Sequence, residues 1–217
     1  MQRRRFVAQT GSLALSAALL SPGLSQAQPN APVAGTDFKV LDRPAPVDAP
    51  AGKIELIEFF WYSCPHCNAF EPVLSDWVKK LPQDVVFKRV PVAFRDDFVP
   101  QQRLFYALEA LNLLDSLHAR VFAAIHVEKQ NLTHGPAIID WVAKQGVDRA
   151  RFTEQFNSFS SSTKATRAKQ IQTAYEVEGV PALGVAGRYY TDGSLAKSMA
   201  RVLQVVEHLS SQIRRTA

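Results

Sequence analysis

Two cysteines with two residues between them form the part of this sequence with the clearest capacity for chemistry. They lie in the run Cys64-Pro65-His66-Cys67, and the 217-residue chain contains no other cysteine. Two thiols at this spacing can form a disulfide with each other, but the loop between them is too short to stabilise a fold of this size. The pair is therefore expected to react, changing between a dithiol and the Cys64–Cys67 disulfide.

The pair stands where a helical pattern begins, and this position gives the two sulfurs different roles. Free N–H groups and the positive end of the helix dipole favour a thiolate at Cys64. Cys67 lies about one turn inside the helix. We expect Cys64 to be the exposed sulfur that is attacked, and Cys67 the more buried resolving sulfur. Pro65 suits the first helical turn, and His66 places a positive or donor group beside the thiolate.

A metal or haem site is the competing interpretation of the pair. A structural zinc site usually has four protein ligands, and there is no second cysteine pair. A c-type haem motif requires histidine after Cys67, where the chain has Asn68. The sequence indicates no metal and no cofactor, although a non-catalytic metal or peptide carrier stays open. Four histidines lack matching ligand spacing and are interpreted as surface or interhelix residues: His118, His126, His134 and His208.

Residues 1–27 are typical of an export signal. Three arginines at positions 3–5 precede an apolar stretch, and Ser25-Gln26-Ala27 offers the small residues that a signal peptidase requires. The stretch is shorter than the roughly 20 residues of a membrane-spanning helix. The arginines also resemble a twin-arginine signal, so the Sec and twin-arginine routes both remain open.

The charge of the chain points to no nucleic acid partner. The full chain carries +5, but three of its arginines lie in residues 1–27, which contain no Asp, Glu or Lys. Removal of this segment leaves a formal charge of +2, which gives no reason to expect nucleic acid binding.

The patterns on both sides of the cysteine pair predict an α/β fold. Residues 53–61 form a mostly apolar run typical of a buried strand, a helical pattern follows over 65–81, and residues 85–92 predict another strand. Together they form a βαβ unit. A proline-rich leader precedes it, with a short edge strand near residues 38–41.

Helical periodicity dominates residues 100–178 and predicts an inserted helical subdomain. Its last helix is expected to run through Ala165–Val177 and to end at Gly179. A hairpin turning at Ala186-Gly187 and a final helix follow. The predicted division is a signal peptide at 1–27, the first part of the α/β domain at 28–97, the helical insertion at 98–178, and the second part of the α/β domain at 179–217.

These residues resemble the DsbA family of periplasmic disulfide oxidases. The resemblance rests on the run Glu58-Phe59-Phe60-Trp61-Tyr62-Ser63-Cys64-Pro65-His66-Cys67 and on Gly179-Val180-Pro181-Ala182. It implies a thioredoxin fold with an inserted helical subdomain, covering essentially all of the chain after the signal. It also implies that the Cys64–Cys67 disulfide is donated through a mixed disulfide at Cys64.

The resemblance implies roles for four further residues. The Val180-Pro181 bond is expected to be cis and to lie against the active-site sulfur, with the Val180 backbone pairing with substrate as an added strand. Glu58 is expected beneath the active site, near a lysine that matches Lys88, where it modulates proton transfer at Cys67. The alternative for Glu58 and Lys88 is an ion pair that only satisfies two buried charges.

The resemblance also implies a setting and partners. We expect a monomer in the periplasm that oxidises newly exported, reduced or unfolded proteins. A membrane quinone reductase of the DsbB type is expected to reoxidise it. A periplasmic disulfide isomerase or reductase of the same superfamily remains the nearest alternative, although only about 25 residues precede the first strong strand, too few for an N-terminal dimerisation domain.

Overall fold

A five-stranded sheet positions the cysteine pair in the computed structural model, which describes residues 31–216. The strands lie in the order β1-β5-β4-β2-β3. Their bounds are β1 Lys39–Val40, β2 Ile54–Phe60, β3 Val85–Pro91, β4 Ala182–Val185 and β5 Tyr189–Asp192. β2 pairs parallel with β3 and antiparallel with β4, and all seven of its residues are buried. The predicted signal peptide lies outside the described residues.

Helices cover both faces of this sheet. They are α1 Pro65–Val78, α2 Val99–Ala110, α3 Leu114–His126, α4 Gly135–Lys144, α5 Arg149–Asn157, α6 Phe159–Ala174 and α7 Met199–Thr216, with a 3-10 turn at Asp96–Phe98. Leu56 of β2 belongs to the apolar core shared with α1 and α7, whereas Phe59 belongs to the core shared with the helices between β3 and β4. Within residues 31–216, none of the helices has the length and apolar character needed to cross a membrane.

The alternation of side chains along β2 determines what lies beneath the cysteines. Successive residues of a strand point to opposite faces of the sheet. Glu58 therefore points to the same face as Leu56, towards α1, and is 1% exposed. A carboxyl group is thus buried under the helix that carries both sulfurs.

The structure confirms the predicted hairpin and corrects one predicted helix end. Ala186 and Gly187 turn between β4 and β5 with φ of 51° and 68°. A side chain at Gly187 would meet the carbonyl oxygen of Ala45 at 2.5 Å, so this turn requires glycine. The prediction that Gly179 ends the last inserted helix is wrong. α6 ends at Ala174, and Glu176 adopts the positive φ, 53°, after it.

Candidate active site

Cys64 and Cys67 occupy the first turn of α1 as free thiols. Cys64 is the N-cap residue, and its Sγ accepts a hydrogen bond from the Cys67 N–H at 3.3 Å. Pro65 opens the helix, where an N–H would have no intrahelical partner. Cys64 keeps 7% of its surface accessible and Cys67 keeps none. The two sulfurs therefore differ in access in the predicted direction, although Cys64 is itself mostly buried.

The helix terminus makes the two thiols unequal acids. A hydrogen bond from the Cys67 thiol, together with the N–H groups of Cys67 and His66 and the charge of His66, lowers the pKa of Cys64 to about 6 despite its partial burial. Burial, then the hydrogen bond and charge of Cys64, raises the pKa of Cys67 far above its usual value. Near neutral pH the pair thus consists of a thiolate at Cys64 and a thiol at Cys67.

The Val180–Pro181 loop lies directly against the Cys64 sulfur. The Val180–Pro181 peptide bond is cis, which confirms the prediction, and the Val180 carbonyl oxygen is 3.4 Å from Cys64 Sγ. A cleft of about 360 Å³ begins beside this loop. Its lining comprises His66, Gly179, Val180, Pro181, Asp192, Gly193, Ser194, Ser198 and Met199. The Val180 backbone and the cleft therefore both lie next to the Cys64 sulfur.

Glu58 has a different partner from the one predicted. Its Oε2 accepts a hydrogen bond from Arg89 Nε at 2.9 Å, and Arg89 is its partner in the β2–β3 register. Lys88 instead lies within 3.0 Å of both Asp48 and Glu55. The prediction that Lys88 lies near Glu58 is wrong, because Lys88 and Arg89 are adjacent on a strand and point to opposite faces.

Glu58 is held in an environment that favours its protonated form. Burial raises its pKa to about 8, and the charge of Glu71 adds to the rise while Arg89 opposes it. Where Glu58 is ionised, its charge raises the pKa of Cys67 further. At neutral pH the raised pKa leaves the carboxyl group of Glu58 protonated.

Three further residues form a buried cluster with Glu58, and their place in it was not predicted from the sequence. Arg89 bridges Glu58 to Glu71, and Glu71 faces His118 of α3. Glu71 is 6% exposed and follows Cys67 by four residues, which is one helical turn. That spacing could have indicated a residue on the same helix face as Cys67. No pattern in the sequence places His118 in this cluster, because it lies in α3, one of the inserted helices.

Replacing His66 with alanine is expected to raise the pKa of Cys64 by less than about one unit. The substitution removes the charge of the His66 side chain, the smallest of the influences that favour the thiolate, and keeps the backbone N–H. The couple should become slightly less oxidising. The rate of alkylation of Cys64 by iodoacetamide across pH measures this pKa, and an unchanged pKa would remove the His66 side chain from the mechanism.

Comparisons with known proteins agree with this geometry. Residues 55–207 match the family model described as a DSBA-like thioredoxin domain. The chain is 45% identical over 194 residues to the thiol:disulfide interchange protein DsbA of Burkholderia cepacia, covering 89% of this chain and 92% of that protein. It is 44% identical to the protein of the same name from Bordetella parapertussis, covering 99% and 100%. The crystal structure of Pseudomonas aeruginosa DsbA superposes with a TM-score of 0.81 at 38% identity, covering 85% and 95%.

Proposed function

The chain belongs to the family of DsbA-like thioredoxin domains and is a thiol:disulfide oxidoreductase, and on this basis we propose that it works as an oxidase of newly exported proteins. The fold predicted from the sequence, a thioredoxin domain with a helical insertion, is confirmed by the same matches. Other proteins are its substrates. The direction of transfer, the mixed-disulfide step, the residue roles and the cellular setting belong to the proposal.

The observation that carries the proposal is the position of Cys64 as the N-cap of α1, where its Sγ accepts the Cys67 N–H at 3.3 Å. This position favours a thiolate and agrees with a pKa of Cys64 lowered to about 6. A stabilised thiolate favours the reduced form of the enzyme, which makes the disulfide form a stronger oxidant. It also makes Cys64 a better leaving group. Both effects favour donation of the disulfide to a substrate over reduction of one.

The proposed reaction proceeds through one mixed disulfide. A substrate thiolate attacks Cys64 Sγ, a bond forms between the two sulfurs, and the electron pair of the Cys64–Cys67 bond leaves on Cys67 Sγ. A second substrate thiolate then attacks the substrate sulfur of the mixed disulfide, and Cys64 leaves as a thiolate. The substrate gains one disulfide, and the enzyme is left as the dithiol.

The Val180–Pro181 loop is the proposed site for the substrate backbone. An extended segment beside Val180 would pair with it as a short added strand while its cysteine meets Cys64. The neighbouring cleft would take the side chains that flank that cysteine. Binding of this kind depends on the substrate backbone more than on the substrate sequence, which suits a wide range of unfolded clients.

We place this reaction in the periplasm, with residues 1–27 as the removed signal. The division at 97/98 and 178/179 into two parts of the α/β domain and a helical insertion remains part of the proposal, as does action as a monomer. Each turnover leaves a dithiol that a weaker oxidant cannot readily reoxidise. A membrane quinone reductase of the DsbB type, attacking or attacked at Cys64, is therefore the proposed source of oxidising equivalents.

The proposal is tested by mixing the purified disulfide form with a reduced, unfolded protein that contains several cysteines. Stoichiometric loss of substrate thiols, matched by the appearance of the enzyme dithiol, is the expected result. Equilibration with glutathione should give a couple more oxidising than glutathione itself. A couple more reducing than glutathione would favour the reductase alternative, and failure to exchange at all would favour a non-catalytic carrier.

A further inference from the structure

A buried cluster of charged groups links the cysteine helix to the inserted helices. Arg89 donates to Glu58 at 2.9 Å and to Glu71 at 2.8 Å, so one guanidinium bridges two carboxyl groups. Glu71 Oε2 lies 3.4 Å from His118 Nε2, and His118 Nδ1 lies 2.8 Å from the hydroxyl oxygen of Tyr62. Glu58, Glu71 and His118 are between 1% and 6% exposed. The cluster therefore spans β2, β3, α1 and α3, and these three side chains have little exposed surface.

The charges of this cluster balance only if it holds one additional proton. Two ionised carboxylates against one guanidinium leave a negative charge, and arginine does not give up its proton in proteins. A buried uncompensated charge is costly, so one carboxyl group is expected to be protonated. Two carboxyl groups that share one proton titrate as a pair, and their surroundings decide which of them holds it.

The hydrogen-bond donors around the two carboxyl groups are unequal. Glu71 Oε1 accepts from the Ser75 hydroxyl at 2.6 Å and from Arg89, and Glu71 Oε2 faces the imidazole of His118. Glu58 accepts from Arg89. Donors to a carboxylate favour its ionised form. The arrangement thus favours ionised Glu71 and protonated Glu58.

The imidazole of His118 is oriented to donate to Glu71. If the Tyr62 hydroxyl donates to Nδ1, the neutral ring carries its hydrogen on Nε2, which faces a carboxylate rather than a second donor. The contact of 3.4 Å between His118 Nε2 and Glu71 Oε2 is longer than an ideal hydrogen bond. Among residues 31–216, neither of these two atoms has another hydrogen-bond partner. The aromatic rings of Phe60, Phe105 and Phe122 surround the imidazole and fix its position.

The pKa shifts of the two carboxyl groups agree with an ionised Glu71 and a protonated Glu58. Burial raises the pKa of Glu71, but the hydrogen bond from His118, then the charge of Arg89 and the hydroxyl of Ser75, outweigh it and hold the pKa below its usual value. Burial raises the pKa of Glu58 to about 8. Burial also lowers the pKa of His118 against the opposing influence of Glu71, so the imidazole is neutral at neutral pH.

We propose that Glu71 and His118 are positioning residues that keep the single proton of this cluster on Glu58, where it is available to Cys67. This inference rests on the proposed function and adds a proton donor to its first step. As the Cys64–Cys67 bond breaks, its electron pair goes to Cys67 Sγ. That sulfur takes the proton of Glu58, and the resulting carboxylate is paired with Arg89 until it regains a proton from solvent.

The charged and titratable groups around His118 come from every element packed against it. They are Glu71 of α1 with Lys79 just after that helix, Tyr62 just after β2, Arg89 of β3 and Asp115 of α3 itself. Glu58 of β2 joins this set through Arg89. The exposed pair Lys79 and Asp115 lies at the mouth of a cleft of about 450 Å³ that His118, Glu71 and Arg89 also line. α2 contributes the ring of Phe105, which carries no charge. Among these groups Glu71 is the carboxylate in direct contact with the imidazole.

The location of the proton can be measured without turnover. Carbon-13 NMR of protein labelled at the glutamate carboxyl carbon, with Glu58→Gln and Glu71→Gln used for assignment, follows both groups through pH. In the wild type, Glu58 should titrate near neutral pH while Glu71 stays ionised. In His118→Leu, Glu71 loses its donor and should titrate in place of Glu58. In Glu71→Gln, which keeps the side-chain shape, Glu58 should be ionised throughout the neutral range.

The consequence for the reaction is measured on the first step alone, with glutathione as the attacking thiol. After correction for the glutathione thiolate fraction, the wild-type rate should fall above about pH 8, where Glu58 loses its proton. His118→Leu and Glu71→Gln should lower the corrected rate at pH 7 on the order of tenfold and flatten its pH profile. His118→Gln, whose amide can still donate to Glu71, should restore the wild-type profile.

His126→Gln is the matched control, because His126 lies on the same helix and contacts the Tyr62 carbonyl oxygen rather than Glu71. It should behave as the wild type. An ionised Glu58 at neutral pH in the wild type, or carboxyl titrations unchanged in His118→Leu and Glu71→Gln, would overturn the inference. Failure of glutathione to reduce the Cys64–Cys67 disulfide of the wild type would instead count against the proposed function.

Discussion

Cys67→Ala is expected to accumulate covalent complexes with client proteins, whereas Cys64→Ala is expected to lose disulfide exchange altogether. Cys64 is the sulfur with surface access and the lowered pKa, and it lies beside the Val180 carbonyl oxygen. In Cys67→Ala the Cys64 thiolate is expected to attack an existing disulfide of a client or of the membrane partner, whose other sulfur leaves as a thiolate, and no Cys67 thiol is present to release the mixed disulfide. In Cys64→Ala the one remaining thiol is Cys67, which is fully buried in the structure. The rate of disulfide exchange should therefore fall by several orders of magnitude, to the uncatalysed rate.

The trapped complexes are measured on non-reducing gels of cells that express each variant, and their partners are identified by mass spectrometry. Exported proteins and one integral membrane protein are expected with Cys67→Ala, and neither with the double variant that lacks both cysteines. Clients without any membrane protein would leave oxidation in place but contradict the proposed recycling. Complexes that form through Cys67 in Cys64→Ala would reverse the assignment of the two sulfurs.

Local patterns were sufficient to predict the elements that carry the cysteine pair. A seven-residue buried strand, a proline in the first helical turn and a hairpin at Ala186-Gly187 each have a local physical cause. Helix ends were less predictable. Gly179 has the residue type of a helix terminator, but the chain left the helix at Ala174 and used Glu176 for the positive φ. A glycine permits that conformation but does not determine where it occurs.

The residues beneath the cysteines were only partly predictable, because their neighbours come from distant parts of the chain. The resemblance to the DsbA family placed Glu58 beneath the active site. The ion-pair partner of Glu58 was predicted to be Lys88 rather than Arg89. These two adjacent cations on β3 point to opposite faces of the sheet, and the sequence does not show which of them faces α1. His118 contacts Glu71 across 47 positions of sequence. Only the packing of the inserted helices against α1 brings these two groups together.

Reduction is expected to stabilise the folded protein, and the difference between the two redox forms should grow as pH rises from about 6 to 8. The pKa of Cys64 is lowered from 9.0 to about 6 in the folded dithiol form. An acid whose folded pKa is lowered contributes stability that is complete above the unfolded pKa and is lost as pH falls through the folded pKa. Three pKa units correspond to at most about 4 kcal/mol, and solvent near the partly accessible sulfur reduces this to about 2–4 kcal/mol.

A comparison of the free energies of unfolding of the dithiol and disulfide forms isolates the contribution of the Cys64 thiolate. The disulfide form has no thiolate at Cys64, whereas Glu58, with its raised pKa of about 8, is present in both forms and largely cancels. The short disulfide loop restricts the unfolded chain little, so it offsets only part of the effect. Denaturant unfolding of both forms at a series of pH values should show the dithiol form more stable, with the gap growing by about 2 kcal/mol between pH 6 and pH 8. Cys64→Ala cannot form the disulfide, and the stability of its single reduced form should lack the rise with pH expected of the dithiol form. A disulfide form that is clearly the more stable at pH 7 would mean that the folded protein favours its own oxidised state, and the chain would then act as a reductase rather than as a donor of disulfides.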